Sequence, residues 1–528
     1  MQYRFKNCVL DSAQFTLFRN GERSEVEPQV LRLLNHLISH RDRVVPRQEI
    51  FDRVFAGRIV TDNALSVRIR AVRNAVGDTA KEQSVIATIT GGGYRFIAPV
   101  EVVSHSAARA DASADGEPGT TPSSDNTLNA APAVAVLPFE LIGGSADDAV
   151  IARGLAHDVT TRIARSRAMY VIARGTSFQF ESGSQDVRKV GASLGVRYVA
   201  QGAVQIAGRR IRISISLANT QSAVEVGSWQ YDREIGDVLF IQDEIAELIV
   251  GGIEDVVQRE EIRRSTLIPS TNLDAWSAYH RGLGHMYRFR SQDADKAESL
   301  FRKAIDLEGK LPRPFAGLSF VHYERAFLNL DHNRKRSLRR ALDYASEAIA
   351  IDPADPMGYW AMSRALFLSG KIADAFDSVN QATQLNPSYA TAQYFSGWLA
   401  MQLGKHQDGL MRIDLSRRLS PHDPLIYGML GVSALALALL GSADEARDRT
   451  VRALKHPDVH YQARAMSAVT FSLTGETELA RHALQRVRAV KPDYDLNEFF
   501  AVYAFQQEDD IKRISDAFRK VELQLTRR

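Results

Sequence analysis

The sequence predicts a multidomain chain that joins a small α+β unit, an α/β unit and an all-α solenoid. Three observations carry that prediction. An amphipathic segment, TDNALSVRIRAVRNAVGD (Thr61–Asp78), is followed closely by ITGGGYRF (Ile89–Phe96). A stretch rich in Ala, Ser, Asp, Gly, Pro and Thr, Ser104–Pro132, has almost no large apolar residue to bury and separates this pair from the rest. Prolines and glycines then recur at intervals close to 34 residues through the C-terminal half.

The first unit follows from periodicity. Wound at about 100° per residue, Thr61–Asp78 places Leu65, Ile69, Val72 and Val76 on one face. Asn63, Val67, Arg70 and Asn74 then point away from that face, with Ser66 and Arg73 on its flank. Arg and Asn are the side chains whose donors match guanine and adenine edges, so such a face suits a DNA major groove. Ahead of it, Phe15–Val26 alternates around the hairpin turn Asn20-Gly21. Pro28 opens a helix through Ser39 and Pro46 opens the next, PRQEIFDRVF. Thr61 or Asp62 can cap the third. Behind it, ITGGGYRF alternates, breaks at Gly91-Gly92-Gly93 and resumes with Tyr94-Arg95-Phe96, which reads as a β-hairpin. Three helices ending in a hairpin make a winged helix.

These residues resemble the OmpR/PhoB-type winged-helix domain of bacterial transcription regulators, over residues 1–103. Thr88, Gly91, Gly93, Tyr94, Arg95 and Phe96 match the family's wing signature. The resemblance implies double-stranded DNA as partner, with Asn63, Ser66, Val67, Arg70, Arg73, Asn74, Thr88 and Arg95 as the DNA-binding set. Arg70 is followed here by Ala71, where the family often carries a second Arg. Charge agrees with the location. Residues 1–100 hold 15 Lys and Arg against 10 Asp and Glu, a surplus of five, whereas the whole chain is only +3. The basic excess sits where a phosphate backbone would be met.

Composition excludes several classes. With 45% hydrophobic and 24% charged residues the chain is ordinary for globular protein. One cysteine, Cys8, excludes a disulfide framework and suits a reducing compartment. The start, MQYRFKNCVL, lacks a secretory apolar core. The longest apolar run, Gly431–Leu440, is about half the length of a membrane span. The expectation is a cytoplasmic protein with no membrane partner. No receiver with a phosphorylatable Asp precedes the winged helix, so direct phosphorelay control is not expected.

After Ser104–Pro132, expected to be a linker over 104–132, an α/β unit is predicted over 133–262. VAVLP reads as a buried strand, Asp147–Ser166 as a helix, MYVIA as a strand and Asp186–Leu194 as a second helix. Arg197–Ile206 and Arg209–Leu217 form a hairpin at Ala207-Gly208, followed by a strand at Glu225–Glu234 and a helix at Phe240–Gln258. In Arg209–Leu217 the Ile residues alternate with Arg and Ser, the pattern of a half-exposed antiparallel strand. VAVLPF, GLAHDVTTRIA, YVIARGTSF, LGVRYVAQGAV and RIRISISL resemble the TolB-like (FlgO-type) domain, which implies no chemistry. His157-Asp158 points in two directions about 100° apart on a helix and is a poor ligand pair. Arg174–Ser177 lacks phosphate-loop spacing and reads as a strand-to-loop turn. The 13 histidines show no zinc spacing. Neither catalytic residues, metal ligands nor a cofactor are expected.

Residues 270–528 are periodic. Pro353, Pro387, Pro421, Pro457 and Pro492 are 34, 34, 36 and 35 apart, and Gly370, Gly404, Gly441 and Gly475 are 34, 37 and 34 apart. Five residues after each Gly stands a small residue, Ala375, Gly409, Ala446 and Ala480. This is the helix–turn–helix period of the tetratricopeptide repeat (TPR), with roughly five to six units. The unit Leu311–Pro353 carries an insertion of roughly ten residues around Asp331–Ser337. Repeats of this kind imply a groove for a protein or peptide partner, with RNA polymerase a further candidate partner of the regulator. The whole resembles HilA/CadC-type regulators and predicts a sequence-specific DNA-binding regulator, not an enzyme. Two alternatives remain open: a TPR scaffold without DNA function, and a cyclase-related signalling protein.

Overall fold

In the computed structural model, residues 2–103 are described apart from 12–15, 21, 25, 27, 42, 48, 51–61, 80 and 90–92. Residues 131–526 are described apart from 144–147, 181–185 and 235–237. The chain divides into two compact units, 1–122 and 123–528.

In the first unit an antiparallel sheet runs in the order β4-β3-β2-β1-β7. Its strands are β1 (Gln2–Phe5), β2 (Cys8–Asp11), β3 (Thr16–Arg19), β4 (Glu22–Ser24) and β7 (Glu101–Val103). Asn20, at φ 55°, takes the left-handed turn position between β3 and β4 that the Asn-Gly pair predicts. Helices α1 (Pro28–Ser39) and α2 (Asp62–Ala75) follow, then the hairpin β5 (Ile86–Ile89) and β6 (Gly93–Phe96). Leu33, Leu34 and Leu37 of α1 meet Leu65, Ile69 and Val72 of α2 in one core with Phe5, Leu10 and Phe96. The expected helix over Pro46–Phe55, the Thr61 cap, the Gly91-Gly92 turn and the 104–132 linker lie wholly or mostly outside the described residues.

In the second unit a mixed sheet runs in the order β10-β8-β11-β12-β13, with β9 also on β11. The strands are β8 (Ala133–Val136), β9 (Glu140–Ile142), β10 (Tyr170–Val171), β11 (Tyr198–Ala207), β12 (Arg210–Asn219) and β13 (Val224–Glu234). β11 pairs parallel to β8 and β9 and antiparallel to β12. Both faces of β8 are covered. Val134 and Val136 pack with Leu155, Val159 and Ile163 of α3 (Ala149–Ser166), and Ala133, Ala135 and Leu137 with Val190 of α4 (Val187–Leu194). Three local readings are corrected. The MYVIA strand shrinks to two residues, Arg174–Ser177 is one turn of helix, and β9 was not foreseen.

The largest correction concerns α5, which runs from Val238 to Leu267 rather than stopping near Gln258. Its polar continuation, REEIRR, looks solvated in sequence but buries Glu261 at 1% exposure. Arg197 Nη1 donates to that carboxylate at 2.6 Å and Tyr198 Oη at 2.8 Å. Ile245, Ile249 and Ile253 of the same helix pack in the sheet core, while Leu248 packs on Ala390 and Leu419 of the repeats.

The repeats are helix hairpins α6 (Ala275–Met286) with α7 (Ser291–Leu307), α8 (Pro312–Phe327) with α9 (Arg334–Ile351), and α10 (Pro356–Leu368) with α11 (Ile372–Leu385). They continue as α12 (Ala390–Gln402) with α13 (His406–Leu419), α14 (Ile426–Leu439) with α15 (Ala443–Leu454), and α16 (Tyr461–Leu473) with α17 (Thr477–Arg488). α18 (Leu496–Phe500) and α19 (Glu508–Thr526) close the array. Gly370, Gly404, Gly441 and Gly475 all sit at φ between 79° and 89°, the left-handed position that ends a helix. The surplus in the second hairpin is spread out. Compared with α10 and α11, its first helix is 3 residues longer, its second 4, and its loop 6 residues instead of 3.

Candidate nucleic-acid interface

Helix α2 is seated by its apolar side. Leu65, Ile69, Val72 and Val76 are all 2% exposed or less, as the 3.6-residue period requires. Arg70 and Asn74 are exposed on the opposite side, one turn apart. Asn63, Ser66 and Val67 belong to the same helix, with side chains outside the described residues.

Arg73, expected on the flank of this helix, turns inward. It is 6% exposed and turned onto the wing. Its Nε and Nη2 donate to the Ile86 carbonyl at 3.2 and 2.8 Å, and Nη2 also donates to Thr88 Oγ1 at 2.8 Å. Arg73 and Thr88, two of the expected DNA-binding residues, are thus brought together inside the domain as the stitch between α2 and β5. The physical reason is reach: a guanidinium on a long stem can leave the helical-wheel direction when an unpaired carbonyl lies beside it.

A second anchor was not foreseen. Asp78, 1% exposed, accepts from Thr79 N, Ser84 N and Ser84 Oγ at Oδ1 and from Val85 N and Ile86 N at Oδ2, all at 2.8–3.0 Å. Burial pulls its carboxyl pKa upward, but the N–H groups of Ile86, Ser84 and Val85 outweigh that and hold it below the usual range.

The far strand of the wing is fixed by backbone. Val45 N donates to Tyr94 O at 2.8 Å and Tyr94 N to Val45 O at 3.0 Å. Gly93 has φ 130°, and a Cβ there would lie 2.1 Å from the Val45 carbonyl oxygen, so only glycine fits this crossing. Tyr94 and Phe96 face the core while Arg95, between them, is exposed, with its Nε 3.4 Å from the Arg41 carbonyl oxygen.

His36, His40 and Glu49 offer ligand atoms within 4.8 Å of one another. Arg43 already holds Glu49, at 2.7 and 2.8 Å, and drives its pKa down to about 2. The carboxylate a cation would need is therefore occupied by a guanidinium. His157 and Asp158 of α3 are exposed and half-buried, with no shared partner among the described residues. No described helix is long and apolar enough to cross a membrane.

Comparison with known proteins places a family match on this unit. Residues 21–96 match the family "Transcriptional regulatory protein, C terminal". The phosphate regulon transcriptional regulatory protein PhoB of Pseudomonas aeruginosa is 30% identical over 89 residues, 17% of this chain and 38% of that protein. Transcriptional regulator HilA of Salmonella typhi is 20% identical over 479 residues, 89% of this chain and 80% of that one. "Putative adenylate cyclase 3" of Rhizobium meliloti is 27% identical over 248 residues, 47% of this chain, which spans 42% of that relative's length. With an apolar-seated helix, an adjoining wing and the family match in agreement, residues 21–96 are an OmpR/PhoB-type winged-helix domain of the transcriptional regulatory proteins.

Proposed function

We propose that the chain is a sequence-specific transcription regulator that inserts α2 into a major groove and lays the wing on the adjacent backbone. The observation that carries this reading is the exposed pair Arg70 and Asn74, on a helix whose other side is buried and whose angle to the wing is set by Arg73. In this reading Arg70, Asn74 and Asn63 read base edges, Ser66 and Val67 line the groove, and Arg95 meets phosphate or the minor groove. Arg73 and Thr88 position the others. Residues 1–103 carry the DNA function, 133–262 the TolB-like layer and 270–528 the partner or signal surface, with RNA polymerase one candidate partner. The chain acts in the cytoplasm and is not catalytic. The adenylate cyclase relative makes turnover of ATP the assay that would overturn this last point.

The test is binding of the full chain to its operator across a salt series. Affinity falls steeply between low and physiological salt, as counterion release demands. Arg70→Ala weakens operator binding by about 1–3 kcal/mol and relaxes preference at one base pair. Arg95→Ala weakens all sequences alike and flattens the salt slope. Equal, sequence-independent losses for both substitutions would show that α2 is not the reading helix.

A further inference from the structure

The lengthened second hairpin carries a cavity beneath its loop. Its six-residue loop, 328–333, turns through left-handed positions at Asn329 and His332 and delivers the chain to the start of α9. There Asn333 caps the helix by accepting from Arg336 N at 3.2 Å. Under this loop lies a cavity of about 410 Å³, within the size range of small-ligand sites. The walls include His322 and Arg325 from α8 and Asn333, Arg336, Ser337 and Arg340 from α9.

Two features of the lining point to a ligand. His322 is 1% exposed, and neither ring nitrogen has a hydrogen-bond partner. Its ring stacks on Tyr344 at 5.6 Å, and the carboxylate of Glu298 stands off at 3.9 Å. Buried imidazole nitrogens are costly when unpaired, so a group in the cavity would satisfy what the protein leaves open. Separately, Arg336 and Arg340 stand one turn apart on α9 with no ion-pair partner among the described residues. Two acids also line the space, one ion-paired and one held only by neutral donors. Asp295 is held by Arg325 at 2.7 Å, and Asp331 accepts from Asn333 N and Ser337 Oγ. Arg325 is further paired with Glu298. Arg336 and Arg340 set against Asp331 still leave a positive excess, and the N-terminus of α9 adds to it.

We propose that this cavity binds a phosphate dianion, free or as a small phosphomonoester, held by Arg336 and Arg340 against the start of α9 with His322 donating its ring N–H. A tetrahedral phosphate has enough acceptor oxygens to engage two guanidiniums and an imidazole from different directions, which a planar carboxylate does less well. The site lies in the repeats and does not depend on the DNA interface.

The test titrates inorganic phosphate and glycerol 3-phosphate into the full chain by calorimetry, with succinate as the carboxylate comparison. One saturable phosphate site is expected. Arg336→Gln/Arg340→Gln, at the open side of the cavity, should weaken it at least tenfold without moving the ligand-free melting temperature. His322→Gln should weaken it as well. Arg70→Ala, which alters the phosphate-seeking winged helix, should leave this site unchanged. Absence of saturable phosphate binding, unchanged affinity in the double variant, loss in Arg70→Ala, or tighter binding of succinate would each overturn the proposal.

Discussion

Asp78→Ala releases the wing from the helix that precedes it, at an expected cost on the order of 3 kcal/mol to the first unit, with operator binding lost in parallel. Five donors converge on this one buried carboxylate, four of them backbone N–H groups. Truncation leaves those near Val85 and Ile86 buried without an acceptor, and each such group costs about 1–3 kcal/mol. The same residue sets an acid limit. Its folded pKa is lowered, so its contribution is complete above the unfolded carboxyl value of about 4 and is lost as pH falls through the folded value. Thermal unfolding of the full chain between pH 3 and pH 6 tests this. Asp78→Asn should flatten the acid dependence of the first transition, and an unchanged pH profile would mean that Asp78 does not anchor the wing.

Arg313→Leu produces the largest loss expected in the second unit, about 3–5 kcal/mol, the range for removing one partner from a buried ion pair. Its guanidinium donates to Asp355 at 2.9 and 3.2 Å and to the Ser166 carbonyl at 2.6 Å, so it ties two repeats to the last turn of α3. Burial already pushes the Asp355 carboxyl above its usual range against the pull of Arg313. Without Arg313 that charge keeps only the Met357 N–H, at 2.9 Å, against its burial. Arg313→Leu/Asp355→Leu should recover much of the loss, because it removes the stranded carboxylate as well. Denaturant midpoints of the three variants decide the matter: a double variant no better than Arg313→Leu would place the energy in packing rather than in charge.

Periodic features of this chain are legible in its sequence. Leu65, Ile69, Val72 and Val76 announce a buried helix face because burial follows the turn of the helix. The repeats announce themselves because four of the hairpins carry a left-handed glycine at one turn and a small residue where their helices meet. Gly397 and Gly409 show how close that meeting is, with a Cβ on either lying 2.7–2.8 Å from the other's carbonyl oxygen. Non-periodic features are hidden for a corresponding reason. Arg73 answers to the carbonyl of Ile86, and a backbone carbonyl has no residue-type signature. Asp78 collects donors that any residues at 84–86 would supply, and Glu261 finds Arg197 more than sixty positions away. Charged residues with distant partners carry no periodic signal, so the burial of Glu261 near the end of α5 and of Arg73 on α2 is not legible from spacing.

The length of α5 has a thermodynamic consequence. At 30 residues it is about 45 Å of continuous backbone, too long for its halves to be separate elements. One side closes the sheet core and the other holds Leu419, Asn386 and Ser420 of the repeats. Melting either neighbour strips apolar cover from a rod that the other still needs, so the two should lose structure in a single cooperative step. Ligand bound to the repeats would then raise the melting point of the sheet as well.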